Sequence, residues 1–300
     1  MCSIFKYYFN TRAYNKRNDI YLGSHDSATF DLDTEGGRAG DFSEDIGMPD
    51  EKMEKWFKTQ QMDFTEQLNN GIRYFDLRII KRSDTGGIHF VHGLHSRKTV
   101  AEYLKDFRKF LDEHQKEVVI LDFNHIYQMS KQDHVSLCTE IENIFTGIML
   151  NTRKCQESGI MQSKMTLSKL WELSGRVLVL YGNSRACTMN EHIWPRHEID
   201  ILWPYTPRKD LVVKNLLDAY RGLYRKDALI VWHGILTPHS DEYFIQRLEQ
   251  FKDLHEFVSP TTKVIVDWLK SKPDIILNIV CADFVEEHDF VETVIGANYK

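Results

Sequence analysis

The sequence has few cysteines and no long hydrophobic run. Its five cysteines are widely spaced and none forms a CxxC pair, so we expect neither a structural zinc site nor a disulfide framework, and reduced thiols are typical of a cytosolic protein. The N-terminus lacks the long apolar core of a secretory signal, and no run of about 18 apolar residues predicts a transmembrane helix. These absences predict a cytoplasmic protein whose membrane contacts are peripheral and transient.

The chain also lacks an excess of positive charge. Its 38 Lys and Arg against 44 Asp and Glu give a net charge of −6, which disfavours a non-specific nucleic-acid binder because that affinity depends on neutralising phosphates. We therefore expect no nucleic-acid partner. Histidine, by contrast, is abundant, with 13 residues. Its imidazole titrates near neutral pH, so the composition directs attention to acid–base or metal chemistry.

Short apolar runs with the composition of β-strands alternate with stretches of helical periodicity. The clearest helix is predicted at residues 99–114, and its apolar residues share one face. Because the runs have no polar face, they indicate a parallel sheet that is covered on both sides, and eight is the number that closes a (β/α)8 barrel. The eight runs are residues 19–22, 72–79, 88–92, 118–124, 176–181, 198–203, 228–233 and 275–283.

One polar segment interrupts this alternation. Residues 31–52 are rich in Gly, Asp and Glu and lie between the first predicted strand and its helix. In a barrel, such a βα-loop is at the catalytic face, so a lid over the site is one interpretation and a plain surface insertion is the other. No segment has the composition of an interdomain linker.

Polar side chains follow or end several of the predicted strands. Because the carboxyl ends of barrel strands converge, we expect these groups to face one cavity. The set comprises His25, Asp26, Asp76, Arg78, His89, His92, Asp122, Asn124, His125, Tyr181 and Asp283.

This set has the chemistry of attack on phosphorus. His25 can take a proton from an attacking hydroxyl while His92 gives one to the leaving oxygen. The guanidinium of Arg78 can stabilise charge on the phosphoryl group. A carboxylate such as Asp283 or Asp26 can orient the imidazole of His25. From the residues alone, a phosphoryl-transfer site and a metal-dependent hydrolase both remain open.

Six segments, taken together, resemble the X domain of phosphatidylinositol-specific phospholipase C. The resemblance runs over residues 18–290, and it is to the single-domain eukaryotic members that the chain is similar. It implies one barrel domain filling residues 1–300, of the TIM-type (β/α)8 class, which in this family is often distorted or incomplete. The segments are LGSHDSATF, WFKTQQMDFTEQLNNGIRYFDLRI, HFVHGL, EVVILDFNHIY, GILTP and VCADFV.

The resemblance implies an activity and a set of roles. The implied reaction cleaves the glycerophosphate P–O bond of a phosphatidylinositol-type membrane lipid, giving diacylglycerol and a cyclic inositol phosphate, in lipid metabolism and signal transduction. His25 matches the general base and His92 the general acid. Asp283 matches the aspartate that orients the base, Asp26 the residue that assists beside it, and Arg78 the arginine that contacts the phosphate.

The same resemblance extends to the inositol pocket. Asn124, His125 and Tyr181 match the part that reads the inositol ring. Tyr205, after the sixth predicted strand, is interpreted either as a stacking platform for the sugar or as a core aromatic. His233, at the end of the seventh, could reach the site as a neighbour of the catalytic residues, although a structural role is the favoured interpretation.

One position bears on the question of a metal. Calcium-dependent enzymes of this superfamily carry an acidic residue where this chain has Arg78, and Asn where it has Asp26. A fixed guanidinium would repel Ca²⁺ and can supply the same electrostatic stabilisation. We therefore expect calcium-independent chemistry with no cofactor.

Two alternative functions stay open at this stage. One is a non-catalytic barrel that binds inositol phospholipids. The other is a metal-dependent enzyme similar to a glycerophosphodiesterase, although such enzymes use a Glu-x-Asp metal pair near the second strand, where this chain has Asp76, Leu77 and Arg78.

Overall fold

The structure, a computed structural model, describes residues 20–41, 50–158, 167–188, 190–223, 228–237, 246–247, 249–271 and 275–298. The strands are β1 (Tyr21–Ser24), β2 (Ile72–Lys81), β3 (Ile88–His92), β4 (Leu94–Thr99), β5 (Val119–Tyr127), β6 (Val177–Tyr181), β7 (Ile193–Pro195), β8 (Ile199–Leu202), β9 (Leu229–His233) and β10 (Ile279–Ala282). The helices are α1 (Asp50–Phe57), α2 (Phe64–Asn69), α3 (Val100–Glu113), α4 (Lys131–Ile144), α5 (Thr152–Glu157), α6 (Leu167–Glu172), α7 (Ser184–Cys187), α8 (Lys209–Arg221), α9 (Leu254–Lys270) and α10 (Phe290–Ala297).

Eight strands form one curled parallel sheet, in the order β7, β6, β5, β2, β1, β10, β9, β8. The fold class expected from the sequence, a distorted α/β barrel of the TIM type, is confirmed. Helix α3 shows how local sequence sets the elements around the sheet. Thr99 and Glu102 form a reciprocal capping box at its start, and its apolar face is buried as the periodicity predicts.

The two ends of the sheet path are joined by the chain itself. Strand β7 pairs with β6, and β8 pairs with β9. A single 3₁₀ turn, Arg196–Glu198, separates β7 from β8. One nearly continuous segment of the chain therefore pairs first with β6 and then with β9. The sequence predicted a strand at residues 198–203, where β8 lies, but it predicted no strand at β7, which is only three residues long.

The run at residues 88–92 is a strand, but its predicted place in the barrel is wrong. Strand β3 pairs antiparallel with the end of β2 and with β4, forming a hairpin outside the main sheet. Strand β2 is ten residues long: residues 74–80 pair with β5 on one edge, while on the other edge residues 72–75 pair with β1 and residues 79–81 pair with this hairpin. Composition predicts a strand, but it does not predict which partner that strand takes.

The polar segment at residues 31–52 is partly fixed against this hairpin. Leu32 and Arg38 form antiparallel bridges to Ser96 and Leu94 of β4. The Ala39 amide donates to the Gly93 carbonyl at 2.8 Å. Residues 42–49 lie outside the described residues, as does Asp19 of the first predicted run. Residues 31–41, the described beginning of the segment, are therefore held against the edge of the hairpin and do not form a free lid.

Two apolar layers pack against the sheet. The layer between the sheet and the helices includes Phe75, Phe107 and Phe123. The barrel interior includes Tyr74 and Cys281. Below the site the barrel is therefore a packed core, which leaves only its carboxyl end available for chemistry.

Gly23 of β1 lies where the barrel interior has no room for a side chain. A Cβ there would lie 2.9 Å from Cδ1 of buried Tyr74 and 3.2 Å from Cβ of Cys281. We expect Gly23→Ala to lower the free energy of unfolding by about 1–3 kcal/mol through overpacking, as measured by urea unfolding. Gly296→Ala is the matched control because no atom lies within 4 Å of the added Cβ. Equal stability of the two variants would contradict this account.

Candidate active site

The predicted catalytic residues lie together at the carboxyl end of the barrel. In several strands every second side chain faces the barrel interior, and the site residues continue that series past the strand ends. The interior positions Gly23, Cys281 and Val231 are followed two residues later by His25, Asp283 and His233. In β2 the same alternation takes Tyr74 to Asp76 and Arg78.

His25 lies at the centre of the group. Its Nδ1 donates to Oδ1 of Asp283 at 2.7 Å. Its Nε2 lies 3.1 Å from Nη2 of Arg78 and 3.2 Å from Oδ2 of Asp26. Nε2 can therefore accept from Arg78 when the ring is neutral and pair with Asp26 when the ring is protonated.

His92 approaches the same carboxylate from the hairpin. Its Nδ1 donates to the Phe57 carbonyl at 2.7 Å, which leaves Nε2 facing the site, 3.5 Å from Oδ2 of Asp26. The Phe57 ring packs edge-on against the His92 ring with centroids 5.2 Å apart. Two imidazoles thus meet at one buried carboxylate. The β3–β4 connection and the end of α1 fix the orientation of the His92 ring.

Arg78 completes this arrangement. Its Nε lies 2.6 Å from Oδ1 of Asp26, whose side chain is almost fully buried. Burial would lower the pKa of Arg78, but Asp26 and Asp76 raise it, so the guanidinium remains charged. A permanent cation is thereby held beside both imidazoles.

The balance of burial and charge makes His25 an unusually strong base. Burial alone would lower its pKa, but the carboxylates of Asp26 and Asp283, with a smaller contribution from Asp76, outweigh burial and raise the pKa to about 9. The resting form at neutral pH is therefore the imidazolium. Neutral His25 is the less populated form, and it is the form that can accept a proton.

Asp76 forms a second carboxylate centre below this group. Burial would raise its pKa, but the bond from His233 and the charges of His25 and Arg78 hold it well below the usual range. Its Oδ2 lies 3.4 Å from Nε2 of His233, and its Oδ1 accepts from the amide of Asn124. His233, for which the sequence left both a structural role and a place near the site open, is a fully buried neighbour of the site, and its pKa is lowered chiefly by burial.

The residues expected to bind the inositol head group do not all lie at the site. Asn124 and His125 lie at the site, where Asn124 contacts Asp76 and His125 bonds to Asn124. Tyr205 is 72% exposed, so it is not a core aromatic but a surface residue beside Trp203, with ring centroids 6.4 Å apart. Trp203 itself packs edge-on against His25, with centroids 5.4 Å apart.

The prediction for Tyr181 is wrong. It is 1% exposed, and its hydroxyl is bonded to Nδ1 of His134 at 2.9 Å in the layer between the sheet and the helices. Along β6, Tyr181 continues the outward series of Val177 and Val179, whereas Leu180 faces the interior. Its position at the end of a strand is as predicted, but it faces the opposite side of the sheet.

Sequence reasoning missed Arg196. The 3₁₀ turn between β7 and β8 directs its side chain into the barrel, where Nε donates to Oδ1 of Asp122 at 3.0 Å. Asp122 also accepts from the hydroxyl of Tyr74 at 2.7 Å. Burial raises the pKa of Asp122 to about 6, although Arg196 opposes this. No periodic pattern marks Arg196, because it belongs to neither strand.

One group of described residues has the spacing of a metal site. His25, Asp26 and Asp76 each offer a ligand atom, and these atoms lie within 4.8 Å of one another. However, the guanidinium of Arg78 contacts both His25 and Asp26, so a permanent cation already neutralises this part of the group. We therefore identify no metal ligands here.

Comparisons with known proteins test the family resemblance and the fold. The family model for the X domain of phosphatidylinositol-specific phospholipase C matches residues 52–182. PI-PLC X domain-containing protein 3 of Mus musculus is 34% identical over 290 residues, covering 92% of this chain and 87% of that protein. PI-PLC X domain-containing protein 2 of Mus musculus is 32% identical over 286 residues, covering 92% and 81%.

Solved structures match the fold at lower identity. Phosphatidylinositol-specific phospholipase C from Listeria monocytogenes superposes with a TM-score of 0.61 at 17% identity, covering 95% of this chain and 96% of that one. A variant of the Staphylococcus aureus enzyme gives a TM-score of 0.62 at 17% identity, covering 93% and 90%. These matches support the barrel fold.

Proposed function

The chain belongs to the family of PI-PLC X-domain proteins, and from that membership we propose that it is a calcium-independent phosphodiesterase of the phospholipase C type. The proposed reaction cleaves the glycerophosphate P–O bond of phosphatidylinositol-type lipids, giving diacylglycerol and a cyclic inositol phosphate. The family and the fold support a phosphatidylinositol phospholipase-type function. The observation that carries the detailed proposal is the meeting of His25, His92 and Arg78 around the buried carboxylate of Asp26.

In the proposed first half of the reaction, His25 acts as the base. The inositol 2-hydroxyl attacks phosphorus, a new P–O bond forms, and the hydroxyl proton passes to Nε2 of neutral His25. Asp283, at 2.7 Å from Nδ1, fixes the ring and stabilises the imidazolium that results. Arg78 stabilises the negative charge that develops on the phosphoryl oxygens, because its charge is already held in place.

In the second half, His92 acts as the acid. The bond between phosphorus and the glycerol oxygen breaks, and Nε2 of His92 gives its proton to that oxygen. The bond from Nδ1 of His92 to the Phe57 carbonyl keeps Nε2 directed into the site. The proposal is tested by incubating the protein with phosphatidylinositol vesicles and measuring released diacylglycerol. Release by the wild-type protein supports it, and no release from any inositol lipid would favour a binding protein instead.

The raised pKa of His25 predicts the pH dependence of the base. Below a pKa of about 9 the ring is mostly protonated and cannot accept a proton, so the active fraction grows as pH rises. We expect kcat/KM of the His92→Ala variant, on a substrate with a p-nitrophenyl leaving group that needs no acid, to rise about tenfold per pH unit up to pH 9. A rate that is already constant above pH 7 would contradict the assignment.

The contact between Arg78 and Asp26 predicts independence from calcium. Because a guanidinium lies 2.6 Å from the carboxylate, we expect equal initial rates with excess calcium and with excess chelator. The assay compares diacylglycerol release in both conditions on the same vesicles. Complete loss of activity in chelator would favour the alternative of a metal-dependent enzyme.

We further propose that the protein works in the cytoplasm and meets membranes transiently through the carboxyl end of the barrel. No helix in the described part of the chain is long and apolar enough to span a bilayer. Exposed Tyr205 lies at this end. The Staphylococcus aureus enzyme, which has a similar fold, binds membranes. Co-sedimentation with phosphatidylinositol vesicles tests the contact.

A further inference from the structure

Gln60 is buried between the two backbone segments that carry His25 and Asp283. It lies in the connection between α1 and α2 and has no exposed surface. Its Nε2 donates to the His25 carbonyl at 2.9 Å and to the Ala282 carbonyl at 3.0 Å. Its Oε1 accepts, at 3.4 Å, from the amide of Val285. One carboxamide thus joins the segment after β1 to the segment after β10.

Thr59 reinforces the same connection. Its hydroxyl donates to the His25 carbonyl at 2.9 Å, and its own carbonyl accepts from the Phe284 amide at 2.8 Å. Thr59 is also buried, and its hydroxyl lies 2.8 Å from that of Thr29. Residues 59 and 60 therefore provide bonds to both segments at the level where the sheet ends.

The backbone needs such support at this level. The pairing of β1 with β10 ends at Ser24 and Ala282, and the His25 amide donates to the Ala282 carbonyl at 3.0 Å just beyond. Immediately after this bond, Asp26 has φ 41° and Phe284 has φ 46°. Such left-handed conformations of residues other than glycine persist when surrounding contacts hold them, and both residues adjoin the catalytic pair.

We propose that Gln60, assisted by Thr59, is a positioning residue for catalysis: it fixes the backbone of both segments so that Nδ1 of His25 and Oδ1 of Asp283 stay in contact. This role rests on the proposed function, because it is assigned to the proposed base. A carboxamide suits the task because it supplies two donors and an acceptor in one planar group. Gln60 bonds to backbone groups rather than to the catalytic side chains themselves.

The kinetic test compares Gln60→Met with a matched variant at the other end of the barrel. Methionine is similar in size but makes none of the three bonds. We expect kcat to fall by about tenfold to a hundredfold, because small displacements of a catalytic group have effects of this size, and KM to change much less. Asn278→Leu is the control: Asn278 is also buried, and its Oδ1 accepts from the Ile230 amide at 3.0 Å at the start of β9. An equal loss of kcat in both variants would overturn the proposal.

A double-mutant cycle with Asp283→Asn tests whether Gln60→Met lowers kcat through the contact between His25 and Asp283. If Gln60 acts by holding His25 against Asp283, the two losses in kcat should not multiply, and the double variant should resemble Asp283→Asn alone. Fully multiplied losses would overturn the proposal. Should Gln60→Met fail to fold, Thr59→Val keeps the cycle informative, because it removes only the hydroxyl bonds and retains the carbonyl that accepts from Phe284.

A spectroscopic measurement separates this proposal from the proposed function. Histidine-labelled protein gives the titration of the His25 ring by NMR without any turnover, with the signal assigned from the His25→Asn variant. We expect Gln60→Met, but not Asn278→Leu, to move the midpoint of His25 towards the ordinary range of histidine. An unmoved midpoint would overturn the positioning role even in an active enzyme. A moved midpoint in a protein without lipid turnover would show that Gln60 positions the His25 ring, and the missing turnover would separately refute the proposed function.

Discussion

Replacing His25 or His92 with alanine should lower kcat/KM for phosphatidylinositol by about 10²–10⁴-fold each, because each variant loses one proton-transfer group. Both imidazoles approach the same carboxylate oxygen of Asp26, with Nε2 atoms 3.2 and 3.5 Å from its Oδ2. Neither variant removes a residue of the main apolar core. Initial rates on phosphatidylinositol vesicles, at matched folded fractions, measure the effect.

The leaving group distinguishes base from acid. On a substrate with a p-nitrophenyl leaving group, His92→Ala should recover most of its lost rate, since that oxygen leaves without a proton, whereas His25→Ala should not. The control variant is His114→Gln, because His114 lies at the end of α3, where its Nδ1 donates to the Phe110 carbonyl. Wild-type activity of both His25→Ala and His92→Ala would show that the assignment of base and acid is wrong.

Arg78→Ala should have two separable effects. The loss of a fixed cation at the phosphoryl group should lower kcat by about 10²–10³-fold, the size found for removing one transition-state donor. It also removes the permanent cation from the buried carboxylate of Asp26 and leaves only the imidazoles of His25 and His92 beside it, which should lower the free energy of unfolding by up to about 3–5 kcal/mol. Urea unfolding and initial rates measure the two effects on the same preparation.

Two further variants separate the loss of activity from the loss of stability. Arg78→Ala combined with Asp26→Asn also removes the buried negative charge that has lost its guanidinium, so part of the stability should return while activity does not. Arg78→Lys keeps the charge but not the planar fork, so it should be more stable than Arg78→Ala and still slower than wild type. If Arg78→Ala retained wild-type activity, the proposed replacement of calcium by a guanidinium would be wrong.

The sequence predicted the central residues of the site well because the geometry of parallel strands is simple. His25, Asp26, Arg78, His92 and Asp283 end or follow apolar runs, and the structure brings them together as expected. His25, Arg78 and Asp283 differ from other polar residues in their place in the alternation of side chains along each strand, whereas Asp26 follows His25 in a turn and His92 comes from the hairpin. That alternation follows from covalent geometry once one inward residue of a strand is known.

The same rule explains where the predictions fail. Tyr181 and His233 both end strands, but Tyr181 is in phase with outward Val179 and His233 with inward Val231. A sequence with apolar residues on both faces does not reveal which phase faces the interior, so Tyr181 was wrongly placed in the site and His233 stayed open between a structural role and a place near the site. The hairpin position of β3 and the inward turn at Arg196 depend on pairing between distant segments, which composition and periodicity do not encode.

The most direct test of the proposed function is phosphorus NMR of phosphatidylinositol vesicles incubated with the protein in excess chelator. The site predicts that the phosphodiester signal of the lipid declines and that the signal of a cyclic inositol phosphate rises with it, because the attacking group is the ring hydroxyl deprotonated by His25. The His25→Ala variant should leave the lipid signal unchanged over the same period. An unchanged lipid signal with the wild-type protein, on every inositol lipid supplied, would contradict the account.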